Sequence, residues 1–541
     1  MGRALYIHSL TMWNIQTNII EPYLVIRQSM APLKLSRWQL AKLFAKQALA
    51  GVTPGTLILG VTAVLLLVVY LFTSRRMVMP SELPVLKNNS SDFEDILAEG
   101  RKKYPDRPYL AINKYYKYVV YPPKNFEEIK RLPEEIASAK SFFHKVNYGS
   151  WTSVGRETHT LVKTILADLT RSIPARVLNR QQDCRMAFES IIGYCPEWKE
   201  TPLLFTTFEI VAKINACSFV GRDLASNQKW VRAVMQSPLF IHVAVTLTTA
   251  CPPILRPLLA PLVFLPTLKN QWDMKRLLIP VLKADVKQFQ ENSDKKELLR
   301  PKAEGKLPLT ALLLSRYKLD EPSIKQLVED YVLISFDSTP STASALYHAT
   351  YELAAHPEAA DVLRQELDEI MVDGKLPSTH LQELRRMDSF LRESLRMHPI
   401  SSFSLQRVLG KSTQLSSGPM IPEGAIITVD AAAINRSPDL WEEPDKFDMD
   451  RFYNKRKEPG NESRYHLLTT GPDSPGWGDG IQACPGRFFA SSTLKIALAY
   501  ILRNYDVKLR DGAQYPVKVS PMANGSWAPD DKAAVLFKSR E

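Results

Sequence analysis

The 541-residue chain has only five cysteines: Cys184, Cys195, Cys217, Cys251 and Cys484. The number is odd, the spacing is wide and no CxxC occurs. That excludes a disulfide framework and a cysteine-rich zinc site. There is no HExxH and no paired histidine spacing, so histidine metal centres are set aside. Glycine is sparse at 22 residues. With 38 prolines, the composition excludes collagen-like and Gly/Ser low-complexity chains. No glycine loop runs into GK[ST], which removes a phosphate loop. Gly478 and Gly480 lack the third glycine of a dinucleotide fingerprint. No basic run of the kind that forms a nucleic-acid arm is present, despite a net charge of +12. A solvated basic surface or an acidic partner accounts for that charge, and no nucleic acid is called for. No repeat of 20–50 residues is found.

What is present points to a folded enzyme-sized body. Apolar residues make up 45% of the chain, with 21 Phe, 20 Tyr and 9 Trp. A disordered chain could not carry that content. The length allows one large enzyme or two to three modules. From Gln47 to Ser74 no charged residue occurs, and Leu57–Phe72 reads LILGVTAVLLLVVYLF. About 20 helical residues cross a bilayer core, so this stretch predicts a single transmembrane anchor over 48–74. It begins too late for a signal peptide, and it lacks the polar face of a core helix. Lys34, Arg37, Lys42 and Lys46 precede it, and Arg75, Arg76 and Lys87 follow, so charge does not set the orientation. Residues 1–47 read as an N-terminal extension, with Met30 an alternative start to Met1.

After the anchor, 75–90 reads as a proline-punctuated linker. The remainder, 91–541, reads as one long, mainly helical body with small β-sheets. Helical periodicity covers Asp92–Lys103, Thr160–Ile173, Ser323–Ala355 and Leu381–Met397, the last stopped by Pro399. Tyr115–Tyr121 and Ala425–Asp430 have strand character. A second apolar region, Pro238–Leu268, holds Pro252, Pro253, Pro257, Pro261 and Pro266. These prolines predict short helices and loops with a greasy surface dipping into the membrane face rather than a second span.

The strongest chemical signal is GWGDGIQACPGRFFA, Gly476–Ala490. Gly478 and Gly480 permit tight turns. Cys484 then stands at the end of a glycine-rich loop, just ahead of a helix. Backbone N–H donors and the positive helix end both favour a thiolate there. The bland alternative is a free structural cysteine in a turn.

This loop resembles the haem-binding loop of the cytochrome P-450 haem-thiolate monooxygenases, Phe-x-x-Gly-x-(Arg/His)-x-Cys-x-Gly. Trp477 stands for the Phe, Gly480 and Gly486 match the glycines, and Cys484 matches the iron ligand. Gln482 stands where the family places a basic residue for a haem propionate. The CPGRFFA ending is similar to fungal members. Three further motifs follow the family order. FLRESLRMHP supplies Glu393 and Arg396 at i and i+3, where a carboxylate and a guanidinium share a helix face. FDMDRF resembles the PERF segment, with Arg451 as the third member of a structural Glu–Arg–Arg cluster and Met449 in place of the Pro. QRVLGKSTQLSSGPMIPEGAII resembles the intervening strand pair, with Arg407 as a propionate partner.

Leu333–Glu358 resembles the family's long oxygen-binding helix. The family pattern (Ala/Gly)-Gly-x-acid-Thr-Thr falls on Asp337, Ser338, Thr339, Pro340, Ser341 and Thr342. Pro340 takes the acid position and Ser341 that of the first Thr. A proline frees the Phe336 carbonyl and kinks the helix. Ser341, with Thr342 as its rival, is the hydroxyl expected to organise a proton-delivering water. NACSFVGRDLASNQKW and the stretch around Asn88–Asn89 also look like fungal members.

The resemblance covers about residues 78–541. It implies a cytochrome P-450 fold behind one transmembrane helix. It implies haem b held by Cys484, with Trp477, Gly478, Gly480, Gln482, Gly486 and Arg407 around the cofactor. The thiolate pushes electron density onto iron and favours O–O cleavage. No flavin or nicotinamide module is present, so electrons are expected from NADPH through a separate reductase. The substrates expected are O2 and a lipophilic small molecule, terpenoid or polyketide-derived, of fungal secondary metabolism. The location expected is the endoplasmic reticulum membrane, single-pass, with the haem domain cytosolic. Two alternatives stand beside hydroxylation: an oxidative rearrangement such as ring expansion or desaturation, and a haem-binding protein without oxygenase activity.

Overall fold

Short alternating apolar runs give strands near both ends of the body, and long helices with wide apolar faces fill its centre. The structure is a computed structural model that describes residue 60 and residues 77–292, 299, 309–317, 323–377, 380–517 and 519–541. The anchor expected at 48–74 and the extension at 1–47 lie, but for Gly60, outside the described residues.

The strands are β1 Val85–Lys87, β2 Tyr109–Ile112, β3 Lys117–Tyr121, β4 Ala137–Ser138, β5 Lys199–Pro202, β6 Phe403–Leu409, β7 Ile426–Asp430, β8 Tyr505–Leu509, β9 Val519–Pro521, β10 Trp527–Pro529 and β11 Ala534–Ser539. One sheet has the order β1-β2-β3-β7-β6-β4, a second β5-β11-β8, and β9 pairs with β10. In the large sheet β1 runs parallel to β2 and β3 parallel to β7, the latter placing Val120 opposite Thr428. Between β6 and β7 the register shifts from Ser404 opposite Val429 to Arg407 opposite Ile427, a bulge at which Leu405 has φ +50°. Such a bulge re-aims the side chains that follow it.

The helices that position the site are α1 Glu94–Lys103, α2 Val177–Ile191, α3 Leu203–Phe219, α4 Gln228–Ala250, α5 Leu265–Glu291, α6 Ile324–Asp337, α7 Pro340–Ala355, α8 Arg385–Met397 and α9 Arg487–Asn504. α7 packs against α3, α8 and α9, and α9 packs against α2. Helices α7 and α9 are buried almost all round. Ala343, Ala345 and Ala349 on one and Ala497 and Ala499 on the other let neighbours approach closely, while Leu346, Leu363 and Leu498 fill the space between. Truncating any of these leucines to alanine should cost about 2–5 kcal/mol.

The mainly helical fold with small sheets is as the sequence implied, with two corrections. The 75–90 stretch is not a spacer throughout: Leu83 and Leu86 are buried and β1 joins the sheet, so the packed unit begins at Met77. The prolines do not cut 238–268 into short pieces only. α4 runs 23 residues straight through Pro238 and ends at Ala250, with Cys251 as its cap ahead of Pro252. One internal proline removes one N–H donor, and packing on α5 compensates for it. The greasy surface is there: Leu239, Val243 and Leu247 on α4, and Leu258 and Leu262 on the helix Arg256–Val263, are all exposed.

Candidate active site

The cysteine loop is built from short turns that only glycine tolerates at two points. Gly478 and Gly480 have φ of +65° and +69°, and a β-carbon on Gly480 would lie 2.5 Å from the Lys130 carbonyl oxygen. Asp479 between them caps the turn: it accepts from the Gly480 N–H at 2.7 Å and from Thr470 at 2.7 Å, and it pairs with Lys130 at 3.0 Å. Trp477 donates its indole N–H to the Leu467 carbonyl at 2.7 Å, and its own carbonyl accepts from the Cys484 N–H at 2.8 Å. These bonds fix where Cys484 stands, two residues before Gly486 caps α9.

The Cys484 side chain is half-accessible, yet burial pushes its thiol up. The N–H groups of Gly486 and Arg487 and the Arg487 charge pull it down, and the charge of Asp337 adds to the rise. The loop therefore does supply donors to a thiolate, but burial outweighs them.

Behind the loop, α8 carries two buried ionic clusters. Glu393 is fully buried and receives Arg396 at 2.7 and 2.8 Å and Arg451 at 2.9 Å. The two guanidiniums also reach backbone carbonyls: Arg396 those of Asn435 and Pro444, Arg451 that of Lys446. The trio thus fastens the 435–451 segment to α8. One turn earlier on α8, Asp388 pairs with Lys495 of α9 at 2.5 Å and Arg456 at 3.3 Å, and accepts from the Leu467 N–H at 2.8 Å. Burial raises the Asp388 carboxyl, but Lys495 and these other donors win and hold it below the usual range. Because Leu467 also receives Trp477, this second cluster ties α8 and α9 to the cysteine loop.

In the long central helix the expected kink is a full break. α6 ends at Asp337 and α7 starts at Pro340. Pro340 offers no N–H, and the Phe336 carbonyl takes the Thr339 N–H at 3.3 Å instead. The Ser338 carbonyl is satisfied from α3, by Asn215 Nδ2 at 2.9 Å. Thr493 of α9 donates to Asn215 Oδ1 at 3.5 Å, and the buried Arg180 of α2 contacts Thr493 and, at 3.1 Å, Ser492. Ser341 is half-buried and Thr342 buried on the first turn of α7, and neither hydroxyl makes a hydrogen bond among the described residues. Asp337 has an accessible side chain, although burial pushes its carboxyl up to about 7, with Glu157 adding to the rise. The Cys484 thiol has the same combination.

Two candidate cofactor residues fare differently. Arg407, aimed by the bulge, is buried and donates Nη1 to the Gln406 carbonyl at 2.9 Å. Its Nε has no partner, and burial pushes the guanidinium down to about 10. Gln482, by contrast, is not free for a propionate. Its Oε1 accepts from the Ala139 N–H at 2.7 Å and its Nε2 donates to the Ala137 carbonyl at 2.8 Å. A neutral amide matches that donor–acceptor pair, which a basic side chain could not, so Gln482 staples β4 to the loop.

Sequence reasoning missed Asn215, Arg180 and the Asp388–Lys495–Arg456 cluster. A polar Asn within the apolar run IVAKINACSFV was the available signal for the first. His348 and His398, packing or surface groups by their sequence context, stack on each other with centroids 4.5 Å apart, and His398 meets Glu352 at 2.5 Å.

Comparison with known proteins bears on the same residues. A family model described as Cytochrome P450 matches residues 240–536. The cytochrome P450 monooxygenase ccsD of Aspergillus clavatus is 70% identical over 490 residues, covering 90% of this chain and 99% of that protein. The pyrichalasin C-18 hydroxylase of Pyricularia grisea is 56% identical over 532 residues, covering 97% and 99%. Among solved structures, the retinoic acid-bound cyanobacterial CYP120A1 superposes with a TM-score of 0.63 at 16% identity, covering 85% of this chain and 100% of its own.

Proposed function

Because the chain belongs to the cytochrome P450 family, and so is a haem-dependent monooxygenase, we propose that Cys484 is its axial iron ligand and that it hydroxylates a lipophilic, pyrichalasin-like intermediate of fungal secondary metabolism. The observation that carries the ligand assignment is the Cys484 thiol itself, half-accessible in a desolvated site and pointed at by two backbone N–H groups. The surrounding residues fit a flat anionic cofactor. Arg407 keeps an unpartnered Nε on a buried cation, which suits a propionate. A β-carbon on Gly486 would meet no protein atom within 4 Å, so protein packing does not explain glycine there, whereas close approach of a planar ring does. When bound, the thiolate-ligated haem supplies oxygen activation, the thiolate favouring O–O cleavage. The chain's own residues hold Cys484, exclude bulk water and move protons.

The substrate assignment rests on 56% identity to a protein named as a pyrichalasin C-18 hydroxylase and on the exposed leucines of α4 and Arg256–Val263. Electrons come from NADPH through a separate reductase, whose acidic face would complement the +12 charge. The uncharged stretch Gln47–Ser74 serves as a single-pass anchor in the endoplasmic reticulum, with the haem domain cytosolic. In that orientation the sequons at Asn88 and Asn89 carry no glycan in the native host, and a glycan found there would reverse it.

Replacing the thiol tests the ligand directly. Cys484→Ser should abolish the strongly red-shifted Soret band of the ferrous carbonyl complex, because thiolate and hydroxyl differ greatly as iron ligands. A variant that keeps that band would sink the assignment.

A further inference from the structure

The helix behind the cysteine loop opens on a cation. Arg487 is the first residue of α9, three positions after Cys484, and no acidic residue shares that first turn. A helix N-terminus already carries partial positive charge, so a basic side chain there is disfavoured and an acid would be favoured. Arg487 folds back toward the loop, and its Nη1 donates to the Cys484 carbonyl at 3.0 Å. The Phe488 ring lies against the guanidinium, whose carbon is 4.7 Å from the ring centroid. Its Nε is buried without a partner. It forms no ion pair among the described residues, so no carboxylate cancels its charge. Other cations of this region are matched: Lys130 with Asp479, Lys495 with Asp388, and Arg396 with Glu393. The Arg487 charge reaches the Cys484 sulfur and favours its thiolate.

Resting on the reading of Cys484 as the haem ligand, we propose that Arg487 sets the reduction potential of the haem iron, holding it higher than the thiolate alone would leave it. The step concerned is a one-electron reduction. One electron passes from the NADPH-fed reductase to ferric iron, which becomes ferrous, and no bond or proton changes hands. The site thereby gains one unit of negative charge. A fixed positive charge beside it lowers the energy of the more negative state, and a desolvated setting screens that charge weakly. The hydrogen bond from Nη1 acts in the same direction, because it draws electron density toward the carbonyl of the ligand residue. A thiolate pushes density onto iron and makes it hard to reduce. The unneutralised guanidinium offsets part of that push, so the first electron enters more easily. Arg487 acts through Cys484 and is not itself a catalytic residue.

The test uses the full-length haem-loaded protein with Arg487→Gln, Arg487→Met and Arg487→Lys variants. Each is titrated with dithionite and mediator dyes in the absence of reductase, so the readout is independent of turnover. The first two variants remove the charge and the third keeps it. Both neutral variants should be harder to reduce by about tenfold in the equilibrium constant, a fall of about 59 mV for a one-electron couple. Arg487→Lys should keep most of the wild-type midpoint. A neutral variant with the wild-type midpoint overturns the proposal. So does an Arg487→Lys midpoint that falls by the full tenfold, and that arm stands alone where the neutral variants fail to load haem. Slower reduction by the reductase at an unchanged midpoint also overturns it, and would make Arg487 a docking cation instead. All haem-loaded variants should keep the red-shifted Soret band of the ferrous carbonyl complex. A wild-type protein lacking that band would instead sink the haem-ligand reading, a separate failure.

Discussion

Glu393 and Asp337 are both carboxylates inside the packed body, yet they live differently. Glu393 is fully buried and gripped by two guanidiniums. Asp337 has an accessible side chain and no cationic partner among the described residues. A buried charge that is fully paired fixes geometry, because removing one partner strands the other. A desolvated carboxyl without a partner costs stability, and it is retained where its proton or its lone pair has a use. The cysteine side of the molecule is built on the first principle and the helix break on the second.

The hardest test of that contrast is Glu393→Ala. It strands Arg396 and Arg451 and should cost about 3–5 kcal/mol, seen as little haem per chain and a collapsed thermal transition. Folded, haem-loaded protein that merely turns over slowly would break the comparison, because Glu393 would then be acting chemically. Next in size is Ser341→Ala at the helix break. It should leave folding intact and slow product formation by about 10²–10⁴-fold with NADPH consumption largely kept. Thr342→Ala is measured beside it. Loss of coupling in Thr342→Ala alone moves the register by one residue, and unchanged coupling in both raises the standing of a rearrangement. Asn215→Ala comes third: it leaves the Ser338 carbonyl unsatisfied and should cost about 1–3 kcal/mol, read from denaturant midpoints. An unchanged midpoint would mean the break holds itself open. The smallest effect is the pH dependence of Asp337→Asn. The Asp337 carboxyl is raised in the folded state, so the folded protein binds more protons than the unfolded one between about pH 4 and 7. Wild-type stability is therefore lost across that window as pH rises. The Asn variant should match wild type at its acid end and exceed it above about pH 7. A gap that widens toward acid would contradict the sign.

Much of the paired side was legible in the sequence. The spacing of Glu393 and Arg396 and the place of Arg451 after FDMD name the trio, and Pro340 announces the break. The expected strands at Tyr115–Tyr121 and Ala425–Asp430 are found as β3 and β7, and the helix expected over Leu381–Met397 is found as α8, trimmed at its start. What sequence could not show depends on partners far along the chain. Gln482 reads locally as a weakened propionate ligand, whereas its amide closes on Ala137 and Ala139, about 340 residues earlier. Lys495 looks like a surface charge until α9 packs it onto Asp388. The helix through Pro238 escapes a sequence reading because proline preference is local, while the packing of α4 on α5 that overrides it is not.

Gly486 carries a warning for anyone reshaping this chain. With no protein atom within 4 Å of where its β-carbon would sit, alanine there meets no obstacle in the polypeptide. A screen that ranks variants by melting point or by soluble yield would pass such a substitution. If a porphyrin plane lies against that backbone, the same methyl group would instead show up as faster loss of the red colour from the purified protein. Cofactor retention, not heat resistance, is the quantity by which libraries of this loop should be sorted.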